Sequence, residues 1–266
     1  MEKFNLTKPN GHQVSCLQEI PQDPAGLKGI VIAIHGFTSS KECMTVEMLC
    51  RRMPAAGIGV VAIDQPAHGQ GASAKEPLRI ANCINSIEAA DKYVQEAFPG
   101  VPVFYFGSSF GAYITGLYIS SRPHSGRRVF WRSAAVNMPK LLIKENPTEL
   151  DRRLLRDLEQ KGYFHPVLAL NGVEQVSTIK VTKAMMQDLA ENDLFVKFDN
   201  DAFGPHRIAM AHGEQDTVID PEAARAFAQK FSIPITFFEG EGHSLSIKPE
   251  TPDKVADLAI ELFLGE

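Results

Sequence analysis

The chain is poor in the features that mark several protein classes. It has four cysteines in 266 residues, at positions 16, 43, 50 and 83, with no C-x-x-C spacing. That leaves neither a disulfide framework nor a zinc-ribbon pattern, and four reduced thiols fit a cytoplasmic protein. No apolar run approaches the roughly 20 residues of a membrane-spanning helix. The opening MEKFNLTKPNGHQ lacks the apolar core of a secretory signal. Cytoplasmic localisation and no membrane partner are therefore expected. Basic charge is not in excess: 27 Lys and Arg stand against 32 Asp and Glu, a formal charge of −5. A nucleic-acid partner, which calls for a basic stripe, is not expected. None of the eight histidines falls in an H-E-x-x-H or comparable ligand cluster, so no metal is expected. No phosphate-binding G-x-x-x-x-G-K-[ST] occurs and no G-x-G-x-x-G follows a strand-like run, so no cofactor is expected. Repeats and low-complexity tracts are also missing.

What is present is a globular composition, 44% hydrophobic and 22% charged, with a rhythm of short apolar runs. Phe4–Thr7 and Gln13–Gln18 flank Pro9-Asn10-Gly11, which reads as a hairpin. Buried-strand runs follow at Gly29–Ile34, Gly59–Ile63, Pro102–Phe106, from Arg128 through Trp131, His206–Ala211 and Ile235–Phe238. Their nearly continuous apolar character is that of strands covered on both faces of a parallel sheet. Helical spacing occupies Met44–Met53, Ile80–Ala97, Ala112–Ser120, Pro221–Phe231 and Pro252–Phe263. The alternation predicts an α/β fold: a mostly parallel sheet of about eight strands flanked by helices. Lys140 to about Pro205 breaks the rhythm. It reads as helical over Leu141–Lys161, a small hairpin around Asn171-Gly172 within Val167–Val181, and helical again over Val181–Leu194. The expectation is a core domain of residues 1–139 and 206–266 carrying a cap insertion of residues 140–205.

Gly107-Ser108-Ser109-Phe110-Gly111 matches G-x-S-x-G between a strand and a helix. That context suits a nucleophile at the tip of a sharp turn, with glycines where backbone crowds it. A serine hydroxyl needs a base, and His243, set among glycines after the last apolar strand, is the candidate. A carboxylate orienting the imidazole is expected at Asp216, with Glu214 as the rival. Donors for a developing oxyanion are expected from the amides of Phe110 and of Phe37, in the His35-Gly36-Phe37-Thr38 turn. Tyr163, Phe164 and Phe195 are candidate substrate-binding residues in the cap, with Phe198 and Phe203 alongside; the alternative is that these rings form the cap's own core. Glu145 and Tyr163 are weaker candidates for contacting a phenolic hydroxyl, and Met185 and Met186 read as packing residues.

These motifs, together with Asp64-Gln-Pro-Ala-His-Gly-Gln-Gly71, resemble the α/β-hydrolase family. In that family the last segment, which departs from the usual D-x-x-G-H-G-x-S at Ala67 and Gly71, is structural, so His68 is not expected to act on substrate. The His-Gly-Phe-Thr turn, the chain length and the insertion are similar to small bacterial carboxylesterases of the feruloyl (cinnamoyl) type. The resemblance implies an α/β-hydrolase fold. It also implies a serine carboxylesterase acting through an acyl-enzyme on small or aromatic, hydroxycinnamoyl-type esters. A monoacylglycerol lipase or serine peptidase with the same three residues is the alternative, and a ligand-binding protein without catalysis is a further one. The expected partner is a small-molecule ester.

Overall fold

The computed structural model describes residues 1–23, 26–142, 147–170, 173–203 and 207–265. Strands β1 (Glu2–Thr7) and β2 (Gln13–Glu19) form the expected antiparallel hairpin. They are followed by β3 (Gly29–Ile34), α1 (Met44–Arg52), β4 (Ile58–Ile63), α2 (Ile80–Ala97), β5 (Val103–Ser108), α3 (Phe110–Ser121) and β6 (Gly126–Arg132). A run of small elements intervenes before β11 (Ile208–Gly213), α9 (Pro221–Lys230), β12 (Ile235–Phe238) and α10 (Thr251–Leu264). The eight-stranded sheet has the order β1-β2-β4-β3-β5-β6-β11-β12. β2 joins β4 antiparallel, and every pairing from β4 to β12 is parallel.

Period-two alternation decides which helix covers which face. Ile30, Ile32, Ile34, Tyr105, Val129 and Trp131 point into one core with α2, α3 and α9. Val31, Ala33, Phe104, Phe106 and Phe130 point into the other, against α1 and α10. A strand with both faces buried has no polar alternation, which is why the central runs are apolar throughout. Among the described residues no helix is long and apolar enough to cross a membrane.

Between β6 and β11 lie α4 (Met138–Leu142), α5 (Glu149–Lys161), β7 (Tyr163–Phe164), β8 (Val167–Leu170), β9 (Val173–Val176), β10 (Val181–Thr182), α6 (Lys183–Glu191), α7 (Leu194–Lys197) and α8 (Asn200–Phe203). The single helix expected over Leu141–Lys161 is two. Pro147 and the Thr148 cap, whose hydroxyl accepts from the Asp151 N–H, restart the helix at Glu149. Glu145 lies outside the described residues, as do Asn171 and Gly172, although β8 and β9 on either side of the latter pair antiparallel. His206 also lies outside them, and the strand begins at Ile208. The helix expected over Val181–Leu194 is shorter, because Thr182 caps it and Asp193 caps the next one. α6 packs on α2 and α4, and α7 and α8 pack on α3. The segment thus extends the core on the α2/α3 face, where Phe164, Val181, Met185, Leu189 and Phe198 are buried.

Candidate active site

The turn from β5 into α3 holds Ser109 at φ 53° and ψ −115°, a conformation rare for a residue with a side chain. The turn is closed by the Ala112 N–H donating to the Ser109 carbonyl at 3.0 Å, while the Ser109 N–H donates to the Arg132 carbonyl at 2.9 Å. Glycine is required at both flanks. A Cβ on Gly107 would lie 2.6 Å from the Ala112 Cα, and one on Gly111 would lie 2.2 Å from the Ile34 carbonyl oxygen. Neither obstacle is a side chain that could move aside.

Loops from β11 and β12 bring Asp216 and His243 to this serine. His243 Nε2 is 3.0 Å from Ser109 Oγ, and His243 Nδ1 is 2.7 Å from Asp216 Oδ2. With Nδ1–H donated to the carboxylate, Nε2 faces the hydroxyl as an acceptor. Asp216 Oδ1 accepts the N–H groups of Val218 and Ile219 at 2.8 and 2.9 Å, and Oδ2 also lies 3.2 Å from His212 Nε2. Burial alone would raise the Asp216 carboxyl. The hydrogen bonds from His212, His243 and Ile219 outweigh it and hold the group well below the usual carboxylate range. Glu214, the rival acid, is exposed. The His243 loop is fixed by Ser133 Oγ, which donates to the His243 carbonyl at 2.8 Å, and by the Arg132 guanidinium, which donates to the Ser244 carbonyl.

The loop after β3 closes over the serine, and a Cβ on Gly36 would stand 3.2 Å from Ser109 Cβ. Among the described residues the amide N–H groups of Phe37 and Phe110 have no acceptor; the latter opens α3, where the helix dipole favours negative charge. Two buried imidazoles hold this loop. His68 Nδ1–H donates to the Pro66 carbonyl at 2.8 Å and Nε2 accepts the Thr38 N–H at 3.1 Å. His35 Nδ1–H donates to the Gly36 carbonyl at 2.7 Å and Nε2 accepts the Gln65 N–H at 3.0 Å. Burial lowers His35 to about 4 and His68 to about 3, so both rings are neutral at pH 7. Asp64 accepts the backbone N–H and the ammonium of Lys41 at 2.7 and 2.8 Å.

A cavity of about 310 Å³ opens beside Ser109 and His243, walled by Phe37, Met48, Val218, Leu245 and Val255. Its outer wall therefore comes from α1 and α10. Tyr163, Phe164 and Phe195, expected to bind substrate, are not among its lining residues. Phe164 is buried in the α2/α3-side core. The Phe195 ring packs edge-on against Phe227, at 5.1 Å between centroids, and Tyr163 carries the Lys180 ammonium over its ring. The physical reason is geometric: their segment packs on the face of the sheet opposite to α1 and α10. Arg132, at the end of β6, does line the cavity. A charged residue closing an apolar strand at its C-terminal end was the available signal, since ligands bind at that end of open α/β sheets. Among the described residues no group of three or more His, Cys, Asp or Glu is placed to hold a metal ion.

Comparison with known proteins agrees with this arrangement of sheet and helices. A putative hydrolase from Agrobacterium vitis S4 superposes with a TM-score of 0.76 at 17% identity, covering 98% of both chains. Est1E from Butyrivibrio proteoclasticus, a protein also solved with ferulic acid bound, gives 0.73 at 16% identity, over 98% of this chain and 99% of that one. A thermostable carboxyl esterase from Bacillus coagulans gives 0.69 at 17% identity, over 99% and 98%. No curated protein matches the sequence. The family model described as serine aminopeptidase, S33, matches residues 25–248. The chain belongs to that family and has the α/β-hydrolase fold.

Proposed function

We propose that the protein is a serine carboxylesterase working through an acyl-enzyme, with Ser109, His243 and Asp216 as its catalytic residues. The observation that carries the reading is the unbroken relay of 3.0 and 2.7 Å from Ser109 Oγ through His243 to Asp216, set beside two amide N–H groups without acceptors. His243 takes the Ser109 proton as Oγ attacks the ester carbonyl. The tetrahedral oxyanion is received by the Phe37 and Phe110 N–H groups, the fixed-donor arrangement that favours charge developing in the transition state. Protonated His243, stabilised by the Asp216 carboxylate, passes its proton to the leaving alcohol. It then activates water to release the acid. The chemistry needs no cofactor.

The cavity volume of about 310 Å³ favours small or single-ring acyl groups, consistent with hydroxycinnamoyl-type substrates and with the ferulic acid bound to Est1E. We further read residues 140–205 as a cap inserted into a core of 1–139 and 206–266. The family description favours a second reading, a serine aminopeptidase. An aminopeptidase requires a carboxylate to receive the substrate amine, and the described residues lining the cavity include none.

The test is turnover of p-nitrophenyl acetate, butyrate and laurate, methyl ferulate and an aminoacyl anilide by wild type and S109A. Expected is hydrolysis of the short or feruloyl esters, reduced about 10⁴-fold or more in S109A. Turnover of the anilide alone would move the assignment to a peptidase, and of laurate alone to a lipase. Activity that survives in S109A would overturn the nucleophile.

A further inference from the structure

Arg132 is 7% exposed and lines the same cavity as Ser109. Nη1 donates to Ser108 Oγ at 2.9 Å and Nη2 donates to the Ser244 carbonyl. Both acceptors are neutral. Among the described residues no carboxylate stands within ion-pair distance of it: Asp216 is engaged by His243, and Glu241 accepts the N–H groups of Ile247 and Lys248. Burial lowers the Arg132 pKa to about 10 against the raising effect of the Asp216 and Glu241 charges from beyond ion-pair distance, and the group stays charged at neutral pH. An unsatisfied donor lies in the same wall. Ser244 lines the cavity, and its hydroxyl is buried with no partner among the described residues. A buried cation without a counter-ion is strongly unfavourable, and so is a buried hydroxyl without a partner. Tying the end of β5 at Ser108 to the Ser244 loop explains the two hydrogen bonds Arg132 makes. It does not explain a full positive charge, because a neutral amide would make the same two bonds.

We propose that Arg132, with the Ser244 hydroxyl beside it, is an anion subsite, and that the ester this enzyme hydrolyses carries a carboxylate which becomes the guanidinium's counter-ion on binding. The inference rests on the esterase reading and adds the charge of the substrate to it. Nη1 is bonded to the side chain of the residue next to the nucleophile, so the carboxylate sits a few bonds from the scissile carbonyl. Short half-esters of dicarboxylic acids and esters of small hydroxy-aromatic acids meet that requirement.

Two matched pairs of substrates test it. Mono-p-nitrophenyl glutarate against p-nitrophenyl pentanoate places the carboxylate on the acyl half. 4-Butyryloxybenzoate against its methyl ester places it on the alcohol. In at least one pair the wild type should favour the anionic member by about tenfold or more in kcat/KM. R132M should abolish that ratio, R132K should retain part of it, and S244A should reduce it by about threefold. R132K and S244A decide the matter if R132M does not fold. No preference for the anion in either pair, or R132M lowering both members of a pair equally, overturns the subsite and leaves Arg132 a clamp between the end of β5 and the Ser244 loop. If no ester is hydrolysed at all, the esterase reading fails instead. Calorimetric titration of glutarate into wild type and R132M then decides the subsite alone: binding lost in R132M sustains it, and no binding to the wild type overturns it.

Discussion

At the scale of single residues, the choice between Asp216 and Glu214 is one of burial and direction. Asp216 is 5% exposed and receives His243 Nδ1–H at 2.7 Å, whereas Glu214 faces solvent two residues away. D216N should therefore lower kcat by about 10⁴-fold, because the amide no longer specifies the imidazole tautomer, while E214Q should change kcat less than about threefold. Steady-state kinetics on one short ester measures both, and a severe effect in E214Q would transfer the role. The sequence picks out Ser109, Asp216 and His243 because a strained turn needs glycines at fixed offsets and the three residues each follow a recognisable strand. Arg132 and His212 carry no such local mark. The role of Arg132 arises where chain segments 24 and 112 residues apart approach, as it reaches Ser108 and Ser244.

Among the elements, the leading hairpin shows the same divide. Alternating runs around Pro9-Asn10-Gly11 make it legible, and Gly11, at φ 81°, supplies the left-handed residue that the turn uses. What holds it to the body is not legible. Lys8 in the turn is 2% exposed and pairs with Glu76, 1% exposed, in the loop before α2. Its ammonium also donates to Ser86 Oγ at 3.2 Å. Ser15 of β2 adds a second tie, receiving the Ala72 N–H at 2.8 Å and giving its own N–H to Ser73 Oγ at 2.9 Å. Removing one member of a buried ion pair strands the other, so K8M should cost about 3–5 kcal/mol in urea unfolding. The double variant K8M/E76L, which removes both charges, should recover most of the loss. If K8M alone is as stable as the wild type, the pair is not buried in solution. The aromatic residues between β6 and β11 show the converse difficulty: composition marks them as apolar and says nothing of which sheet face their helices choose. The sequence allowed either a substrate wall or an internal core for Tyr163, Phe164 and Phe195; Phe164 on β7 is buried in the α2/α3-side core, Phe195 lies on α7, which packs on α3, and none of the three lines the cavity.

For the molecule as a whole, the neutral imidazoles of His35 and His68 tie stability to pH. His35 and His68 are pushed by burial from an ordinary value near 6.5 down to about 4 and about 3. In the unfolded chain both recover that ordinary value. Between pH 6.5 and about 4 the unfolded chain therefore binds more protons than the folded one, and stability falls as pH falls. The contribution is fully present above pH 6.5 and spent near the folded values. Each proton gives a slope of about 1.4 kcal/mol per pH unit, so the pair approaches about 2.7, and the fall from pH 7 to pH 5 comes to about 4 kcal/mol. Partly buried His124, also lowered by desolvation, acts in the same sense. Asp216, held low, loses its stabilisation only as pH falls past its ordinary value of 3.8, and the lowered glutamates such as Glu241 only as pH nears 4.5, so the histidines dominate the upper part of the range. Urea unfolding at half-unit intervals across that range measures the slope. H68Q, which leaves an acceptor for the Thr38 N–H, should remove about half of it. A flat profile in the wild type would mean that the two rings are already protonated in the folded protein, and with them the loop carrying the Phe37 amide would have to be held by charge instead of by the acceptor nitrogens at 3.0 and 3.1 Å.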